Sequence, residues 1–372
     1  MKKILILYAT AGAGHKKAAT AIRKAYDESY SRDAQATLVD ALDYAPGRFK
    51  WMYLRLYLLA VNKLSPLWGF TYHVTNNFYV NLVVARMRRF NNWLNSKALR
   101  EYIVNIKPDV IISTHFFAGE VVSDLKKKGL IGSRLITVVT DYRLHSWWVS
   151  EICDTYVVGG EDARNDLMKW GVDPDRIKIL GIPVEPVFSR KLDRKEAEAR
   201  LGLEKGFFTI LVIGGGFGVG PIEEIVRIID SISKAVQVVV VCGHNEDLVE
   251  RMKGLAGSMK NKIKVVGFVD NVYEFMDASD LVISKPGGIT VSESLAKDLP
   301  MIMISPIPGQ EAYNADFLIR HSAAFSMKDL KDLKGILENI LADPEKLART
   351  KEAIGKIKKP MAAYDIAKLG ME

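Results

Sequence analysis

The sequence predicts an α/β protein built from two doubly wound, Rossmann-like domains that face each other across a cleft. Short apolar segments typical of buried parallel strands alternate with longer segments typical of helices through most of the 372 residues. The alternation occurs twice, and a stretch at 185–204, rich in proline and charge at its start, separates the two series. A chain of this length suits two domains of ordinary size.

The first series predicts a domain over residues 1–184. It begins with an apolar strand, a Gly-rich loop and a helix over about 16–31. Apolar strands separated by helices indicate a parallel sheet that is covered on both faces. The predicted strands of this domain lie at 4–8, 110–113, 135–140 and 155–158.

The second series predicts a domain over residues 205–353, followed by a helical tail at 354–372. A Gly-rich loop at 214–220 precedes a helix that is expected from about residue 221. In doubly wound sheets, ligands bind beyond the carboxyl ends of the strands, where the strand order reverses. The predicted strands of this domain lie at 207–213, 236–242, 263–268, 281–284 and 301–304.

The composition is that of a globular protein with an excess of basic residues. The net charge of +8 favours an anionic partner such as a nucleotide, a nucleic acid or an anionic lipid. The two cysteines, Cys153 and Cys242, are too few for a disulfide framework or a zinc site. The first apolar run is too short for a signal peptide, and no run reaches the roughly 18 apolar residues of a spanning helix. We therefore expect a cytoplasmic protein that is able to contact a membrane from that side.

One segment, residues 44–100, departs from the alternating pattern. It contains no Asp or Glu, but it has nine Lys or Arg residues and twelve aromatic ones. Basic, aromatic and aliphatic side chains without acids indicate a surface that lies among lipid headgroups. The candidate contacts are Trp51, Trp68, Arg88 and Arg89. A buried helical insertion and an RNA surface with stacking aromatics are the alternatives.

A Gly-rich turn follows the strand predicted at 281–284 and opens a helix. Gly287 and Gly288 let a ligand approach the backbone, and the free N–H groups of a helix start suit a phosphate. Glu293 would project near the group that is joined to the phosphate, and a nucleotide ribose is the natural candidate. The turn therefore indicates a diphosphate-and-ribose site; an ordinary turn before an amphipathic helix is the alternative.

A second Gly-rich loop joins the first predicted strand to its helix. Gly12 and Gly14 keep this turn tight, and His15 lies at the helix start, where the dipole favours a neutral imidazole that can act as a general base. Asp141, at the end of another strand, is placed to orient a histidine or to take a hydroxyl proton. Trp147 could lie in an interface or stack on a sugar. Helix capping and local packing are the alternatives for these residues.

Further candidates follow strands of the second domain. Gly215 and Gly216 could give backbone N–H groups to a diphosphate. Gln310 and Glu311 offer donors and acceptors that suit the vicinal hydroxyls of a sugar, and Phe268 is placed to border a base. All of these residues fall at carboxyl ends of strands in the same half of the chain, so they predict one shared site.

These motifs resemble those of the family-28 glycosyltransferases, and more closely the branch of monogalactosyldiacylglycerol synthases and processive diacylglycerol glucosyltransferases. The resemblance covers nearly the whole chain. The pairing of Lys-Pro-Gly-Gly…Glu with Pro-Gly-Gln-Glu at this spacing is a specific signal. The matching motifs lie at 12–19, 139–148, 181–184, 242–246, 267–271, 284–293 and 308–311.

The resemblance implies the GT-B fold, with an acceptor-binding first domain and a second domain that binds a nucleotide sugar. It implies inverting transfer of a hexose from UDP-glucose or UDP-galactose to the free hydroxyl of diacylglycerol, with no metal and no other cofactor. His15 would be the base or an acceptor-site residue, Glu293 would hold the ribose, Ser284 and Gly287–Gly288 would face the diphosphate, and Gln310 and Glu311 would hold the donor sugar. Together with the residues argued from the sequence, the catalytic candidates are His15 and Asp141, and the UDP-sugar candidates are Gly215, Gly216, Phe268, Ser284, Gly287, Gly288, Thr290, Glu293, Gln310 and Glu311. The acceptor or membrane candidates are Gly14, His145, Trp147, Trp51, Trp68, Arg88 and Arg89.

The chain also departs from the family pattern. Ala13 stands where plant members have another glycine, and the loop at 214–220 has a sequence of its own. Since no plastid transit peptide precedes the first strand, we expect a bacterial enzyme bound peripherally to anionic lipids on the inner face of the cell membrane, with no nucleic-acid partner. Alternatives are transfer to another lipid-linked acceptor such as a peptidoglycan precursor, a nucleotide-sugar epimerase of the same fold, and a non-catalytic nucleotide- or RNA-binding module.

Overall fold

Two six-stranded parallel sheets form the framework of the protein. The structure, a computed structural model, describes residues 1–10, 12–62, 64–216, 218, 220–304 and 306–372, without the side chains of 57, 58, 60–62, 65 and 66. The strand order is β2-β1-β3-β4-β5-β6 in the first sheet and β12-β11-β10-β7-β8-β9 in the second. The strands are β1 (Lys2–Tyr8), β2 (Ala34–Asp40), β3 (Val110–Ser113), β4 (Arg134–Val138), β5 (Thr155–Val157), β6 (Ile177–Lys178), β7 (Thr209–Ile213), β8 (Gln237–Val241), β9 (Lys262–Val266), β10 (Leu281–Ser284), β11 (Met301–Met303) and β12 (Ala324–Phe325).

Helices cover both faces of each sheet, as the apolar character of the strands requires. The helices of the first half are α1 (Ala13–Ser29), α2 (Gly47–Asn62), α3 (Ser65–Thr75), α4 (Phe78–Asn95), α5 (Lys97–Ile106), α6 (Phe116–Lys127) and α7 (Glu161–Lys169). Those that follow are α8 (Arg194–Leu201), α9 (Ile222–Asp230), α10 (Glu246–Ala256), α11 (Val272–Asp277), α12 (Gly288–Ala296), α13 (Gln310–Arg320), α14 (Leu333–Ala342), α15 (Pro344–Ile357) and α16 (Ala362–Met371).

The doubly wound fold that the sequence predicts is confirmed. Each of the nine predicted strands is present, with ends that differ by two residues or fewer. In the first sheet the strand order reverses between β1 and β3, and in the second it reverses between β7 and β10. The loops that leave these four strands therefore point toward the two crevices where such folds bind ligands.

Three of the observed strands were not predicted, and the predicted linker contains a helix. β2 lies at the edge of its sheet and alternates buried with partly exposed residues, so it lacks a continuous apolar run. β6 and β12 have two residues each, too few to produce a pattern. Within 185–204, α8 starts with Asp193 as its N-cap and ends at Gly202, whose positive φ suits glycine.

The C-terminal tail returns to the first sheet. α16 packs on α1, and its apolar residues join the core formed by β1, β3 and β4. Lys2 Nζ donates to the carbonyl of Met371 at 3.0 Å, so the two ends of the described chain meet. The tail thus fastens the second half of the sequence to the first domain.

The acid-free segment 44–100 forms four helices, α2 to α5, beside the first sheet. Of the 22 large apolar side chains that are exposed in the described residues, 16 lie between 51 and 94. This concentration makes α2, α3 and α4 one apolar face, which we call the apolar face below. Among the described residues no helix is long and apolar enough to cross a membrane.

Candidate active site

The two halves of the protein touch at the carboxyl ends of their strands. The backbone N–H of Tyr142 donates to Asn314 Oδ1 at 2.9 Å, and Asn314 Nδ2 donates to Asp141 Oδ1 at 3.1 Å. The hydroxyls of Tyr142 and Ser292 lie 2.8 Å apart. Gly288 approaches the carbonyl of Thr140 so closely that a Cβ would clash with it. The cleft is therefore closed along one side by direct contacts between the domains.

A cavity of about 710 Å³ opens beside this contact and is lined by both halves. Its walls come from the loops after β1, β3 and β4, from α2 and α3, and from the starts of α12 and α13. Many of the residues predicted for the site therefore meet at one place. Those that line the cavity are Gly14, His15, Trp68, Asp141, His145, Trp147, Gly287, Gly288, Gln310 and Glu311.

His15 lies in the first turn of α1 and is fixed by the loop after β3. Its Nδ1 lies 2.8 Å from the carbonyl oxygen of Thr114 and 3.1 Å from Thr140 Oγ1. Because a carbonyl only accepts, the ring proton belongs on Nδ1, and Nε2 keeps its lone pair. Burial lowers the pKa of His15 to about 4, against the opposing effect of the Thr114 hydrogen bond. The imidazole is therefore neutral at pH 7, with Nε2 free to accept a proton.

Asp141 follows β4 and lines the same cavity. Burial raises the pKa of Asp141 to about 6, and the hydrogen bond from Asn314 opposes that shift. At pH 7 the carboxyl group is therefore mostly ionised. It is held by the second domain, because Asn314 belongs to α13, and no hydrogen bond joins it to His15 in the described part of the chain.

The start of α12 and the loop before α13 form the opposite wall. Gly287 is the N-cap of α12, and its backbone faces the cavity without a side chain. Glu311 Oε2 accepts the backbone N–H of Ile307 at 2.8 Å, and burial raises the pKa of Glu311. Gln310 Oε1 accepts from Trp68 Nε1 at 3.2 Å. An amide and a carboxyl group are thus held beside a helix N-terminus.

Five residues predicted for the UDP-sugar do not line this cavity. Ser284 is buried, and its hydroxyl donates to the carbonyl of Ile213 at 3.1 Å, so it braces β10 against β7. Thr290 is half-buried on α12. Gly215 and Gly216 are exposed in the loop after β7. Phe268 is 60% exposed and stacks on His244, with ring centroids 4.1 Å apart and planes at 11°. The two rings make a flat aromatic surface at the edge of the second sheet.

Glu293 also lies outside the cavity lining, although it links the two domains. Its carboxylate is nearly buried on α12 and pairs with Lys17 of α1 at 3.2 Å. Burial raises the pKa of Glu293, and the charge of Lys17 opposes that shift. The other carboxylate oxygen of Glu293, Oε2, has no hydrogen-bond partner among the described residues. It can therefore accept a hydrogen bond from a ligand.

The predicted lipid contacts divide into two groups. Trp51 is 61% exposed, with Arg55 over its ring. Arg88 instead pairs with buried Glu120 of α6, and Arg89 pairs with Glu151. The prediction that these two arginines meet lipid headgroups does not agree with their contacts, because carboxylates from outside the acid-free segment occupy their guanidinium groups. Exposed bases remain on α2 and α4 at Arg48, Arg55 and Arg86.

His145 and Trp147 connect the apolar face to the cavity. His145 is buried, and its Nε2 lies 2.9 Å from the carbonyl of Tyr72 on α3. The ring of Trp147 is 4.5 Å from that of His145 and 6.1 Å from that of Trp68. These aromatic contacts hold α3 against the loop after β4, so His145 has a structural role in forming the cavity wall.

Three residues that sequence reasoning missed also shape the site. His115, directly after β3, lies with its ring centroid 4.5 Å from that of His15. Thr140 contacts His15, and Asn314 joins the domains. The sequence does contain a signal for His115, because polar residues at 113–115 follow an apolar strand. The other two lie in or beside the motifs at 139–148 and 308–311, but sequence reasoning assigned neither of them a role.

Comparison with known proteins decides the family. The model for monogalactosyldiacylglycerol (MGDG) synthase matches residues 15–184, and that for the glycosyltransferase family 28 C-terminal domain matches residues 209–369. The chain belongs to the family-28 glycosyltransferases, in the branch of monogalactosyldiacylglycerol synthases and processive diacylglycerol glucosyltransferases. The resemblance stated from the motifs is thereby confirmed, and so is the enzyme class, a UDP-sugar-dependent hexosyltransferase.

Curated relatives of this glycosyltransferase match over almost its whole length. A processive diacylglycerol beta-glucosyltransferase of Bacillus pumilus is 30% identical over 360 residues, which are 94% of this chain and 90% of the relative. One of the same name from Bacillus cereus is 30% identical over 98% of this chain and 92% of the relative.

Solved structures confirm the GT-B fold of this glycosyltransferase. MurG of Acinetobacter baumannii superposes with a TM-score of 0.67 and 14% identity, covering 100% of this chain and 99% of that chain. HepE of Anabaena in complex with UDP-glucose superposes with a TM-score of 0.58 and 14% identity, again covering 100% of this chain and 99% of that chain. At these identities the likeness concerns the fold alone.

Proposed function

We propose that this glycosyltransferase moves glucose from UDP-glucose to the free hydroxyl of diacylglycerol at a membrane surface and forms a β-glucosyldiacylglycerol. The observation that carries the proposal is the cavity, which joins a neutral histidine, a helix N-terminus and an apolar wall in one space. The names of the curated relatives support glucose and diacylglycerol. Galactose is the alternative donor that the family model suggests.

The apolar wall supports a lipid acceptor. α2 and α3 contribute most of it, and several of its side chains are also exposed at the apolar face. These shared side chains connect the cavity with that face, and we propose that the lipid reaches His15 along them. The side chains that belong to both surfaces are Met52, Leu56, Leu59, Leu64 and Leu67.

His15 Nε2 is the proposed general base. It takes the proton of the glycerol hydroxyl while the hydroxyl oxygen bonds to the anomeric carbon of glucose. The bond from that carbon to the diphosphate oxygen breaks on the opposite face, so UDP leaves with the electron pair and the anomeric configuration inverts. The bond from Nδ1 to the Thr114 carbonyl holds the ring in the tautomer that this step needs.

The second domain is proposed to hold the donor. The start of α12 offers backbone N–H groups and a positive dipole end to the departing diphosphate, which stabilises the developing charge. Gln310 and Glu311 would bind sugar hydroxyls, Glu293 the ribose and Phe268 the base. We propose that this arrangement needs no metal ion. Turnover should then persist in excess EDTA, and loss of turnover that Mg²⁺ restores would contradict this part.

Membrane attachment is proposed to be peripheral, on anionic lipids at the cytoplasmic face. The apolar face and the net charge of +8 support it. In vesicle flotation, the double variant Met87→Ser and Phe90→Ser should float about tenfold less, because two exposed apolar side chains leave the bilayer. Met361→Ser is the control, since Met361 is also an exposed apolar side chain but directly precedes α16, which packs on α1. Equal flotation of both variants would contradict the assignment.

The direct test is a transfer assay with UDP-glucose or UDP-galactose and vesicles that contain diacylglycerol, with products read by mass spectrometry. Glucosyldiacylglycerol is the expected product. A galactosyl product would correct the donor and keep the acceptor. Transfer to a polyprenyl-linked acceptor with none to diacylglycerol would overturn the acceptor.

A further inference from the structure

His115 is a second buried histidine of the cavity, and the proposed reaction gives it no role. It follows β3 and is the N-cap of α6, where its Nδ1 accepts the backbone N–H of Phe117 at 3.1 Å. A ring nitrogen that accepts a hydrogen bond carries no proton, so the proton of the neutral ring lies on Nε2. Burial lowers the pKa of His115 well below its usual value, and the neighbouring His15 lowers it further. The ring is therefore neutral at physiological pH.

The two histidines present opposite hydrogen-bonding groups to the same space. His15 offers the lone pair of Nε2, whereas His115 offers the N–H of Nε2. Their ring centroids are 4.5 Å apart with planes at 79°, and both rings line the cavity. His115 is held in place by stacking on Phe116, with centroids 4.3 Å apart. The described chain shows no hydrogen bond from its Nε2, and the ring lines the cavity although only 1% of the residue is exposed to solvent.

We propose that His115 donates a hydrogen bond from Nε2 to an ester carbonyl of the acceptor lipid, and thereby selects glycerol diesters. The assignment rests on diacylglycerol being the acceptor. A hydrogen bond to the attacking hydroxyl would withdraw electron density from the oxygen that must act as nucleophile. An ester carbonyl lies only a few bonds from that hydroxyl and is a strong acceptor that needs a donor once it leaves water. One lipid molecule would thus engage both histidines, the hydroxyl at His15 and the carbonyl at His115.

The apolar surroundings make this hydrogen bond important for the choice of substrate. Phe116 stacks on His115, and Phe49 lines the same wall. A carbonyl that enters there therefore finds few donors besides the Tyr53 hydroxyl and the Trp147 indole N–H. A hydrogen-bond donor in such a pocket discriminates strongly against a substrate that lacks the acceptor, because the donor is then left unpaired. The inferred consequence is a preference for diacylglycerol over the dialkyl ether of the same chain length.

The test compares two lipids and three proteins. Wild type, His115→Asn and His115→Ala are assayed with dioleoylglycerol and with dioleylglycerol, its diether, at equal mole fractions in the same vesicles. Asparagine is favoured as an N-cap and can still accept from Phe117, but its shorter side chain loses the Nε2 donor. The ratio of kcat/KM for diester over diether should fall about tenfold in both variants, as expected for one hydrogen bond in a water-poor site.

Three further results separate this inference from the proposed function on which it rests. An equal loss on both lipids, or an unchanged ratio, overturns the assignment of His115 and leaves the proposed function standing. Absence of wild-type transfer to dioleoylglycerol overturns the proposed acceptor, and the assignment of His115 with it. A ratio that falls with alanine but not with asparagine contradicts the inference, because it traces the effect to the helix cap.

Discussion

Substituting Gly288 by alanine should open the cleft and leave each domain folded. A Cβ at this position would lie nearer to the Thr140 carbonyl oxygen than the 3.0 Å below which Cβ atoms are essentially not found, and 3.4 Å from Asp141 Oδ1. Thr140 is buried two residues after the core strand β4, so it has little room to move. The two domains must instead part by about 1 Å, and a misplacement of that size costs about 100-fold in rate. Overpacking of this kind costs about 1–3 kcal/mol, which shifts a two-state equilibrium by about 5- to 150-fold.

The assay combines kcat/KM for the UDP-sugar with small-angle X-ray scattering. Gly288→Ala should lower kcat/KM by about 100-fold and increase the radius of gyration, with a melting temperature close to wild type. Gly287→Ala is the matched control for the scattering, because a Cβ there meets only Glu311 Oε1, at 3.9 Å. Wild-type turnover and scattering by Gly288→Ala would refute the view that the closed contact belongs to the active form.

Three further predictions concern the cavity. His15→Ala should lower kcat by about 10²- to 10⁴-fold with UDP affinity retained. The pKa of His15 is about 4 and that of Asp141 is about 6, so kcat/KM should fall toward low pH. The midpoint of this fall should lie near pH 4 if only His15 must be deprotonated. It should lie near pH 6 if the Asp141 carboxylate is also needed. Asp141→Asn should abolish a midpoint near 6, and a midpoint that stays there would assign it to another group. Trp68→Phe should raise KM for the UDP-sugar by about 3- to 10-fold without altering vesicle flotation, because the indole N–H that holds Gln310 is lost. An unchanged KM would show that Gln310 is positioned without it.

The fold was predictable because its signals are local. Strands such as β3 and β10 are short, entirely apolar and bounded by polar residues, so burial on both faces of a parallel sheet is evident from the sequence. The return of α16 to the first sheet was not predictable. Its partner α1 lies some 340 residues away in the sequence. The amphipathic pattern of a helix shows which of its faces is buried, but it does not show which element covers that face.

The site residues were predictable where the sheet topology alone brings them together. His15, Asp141 and Gly287 follow strands of parallel sheets, and parallel sheets bring the carboxyl ends of their strands to one edge. The surroundings of Arg88, in contrast, could not be predicted from the sequence. Its own segment contains no acid, and its partner Glu120 belongs to a helix 32 residues further on. The charge pattern of a segment therefore cannot reveal which of its bases are neutralised by the rest of the fold.

The most direct test of the central claim is transfer measured in parallel for wild type and His15→Ala, with UDP-glucose and vesicles containing diacylglycerol. Glucosyldiacylglycerol should form with wild type, and the variant should bind UDP normally but turn over about 10²- to 10⁴-fold more slowly. Wild-type turnover by His15→Ala, or hexose transfer only to acceptors other than diacylglycerol, would contradict the assignment of this cavity as the site where the lipid hydroxyl is activated.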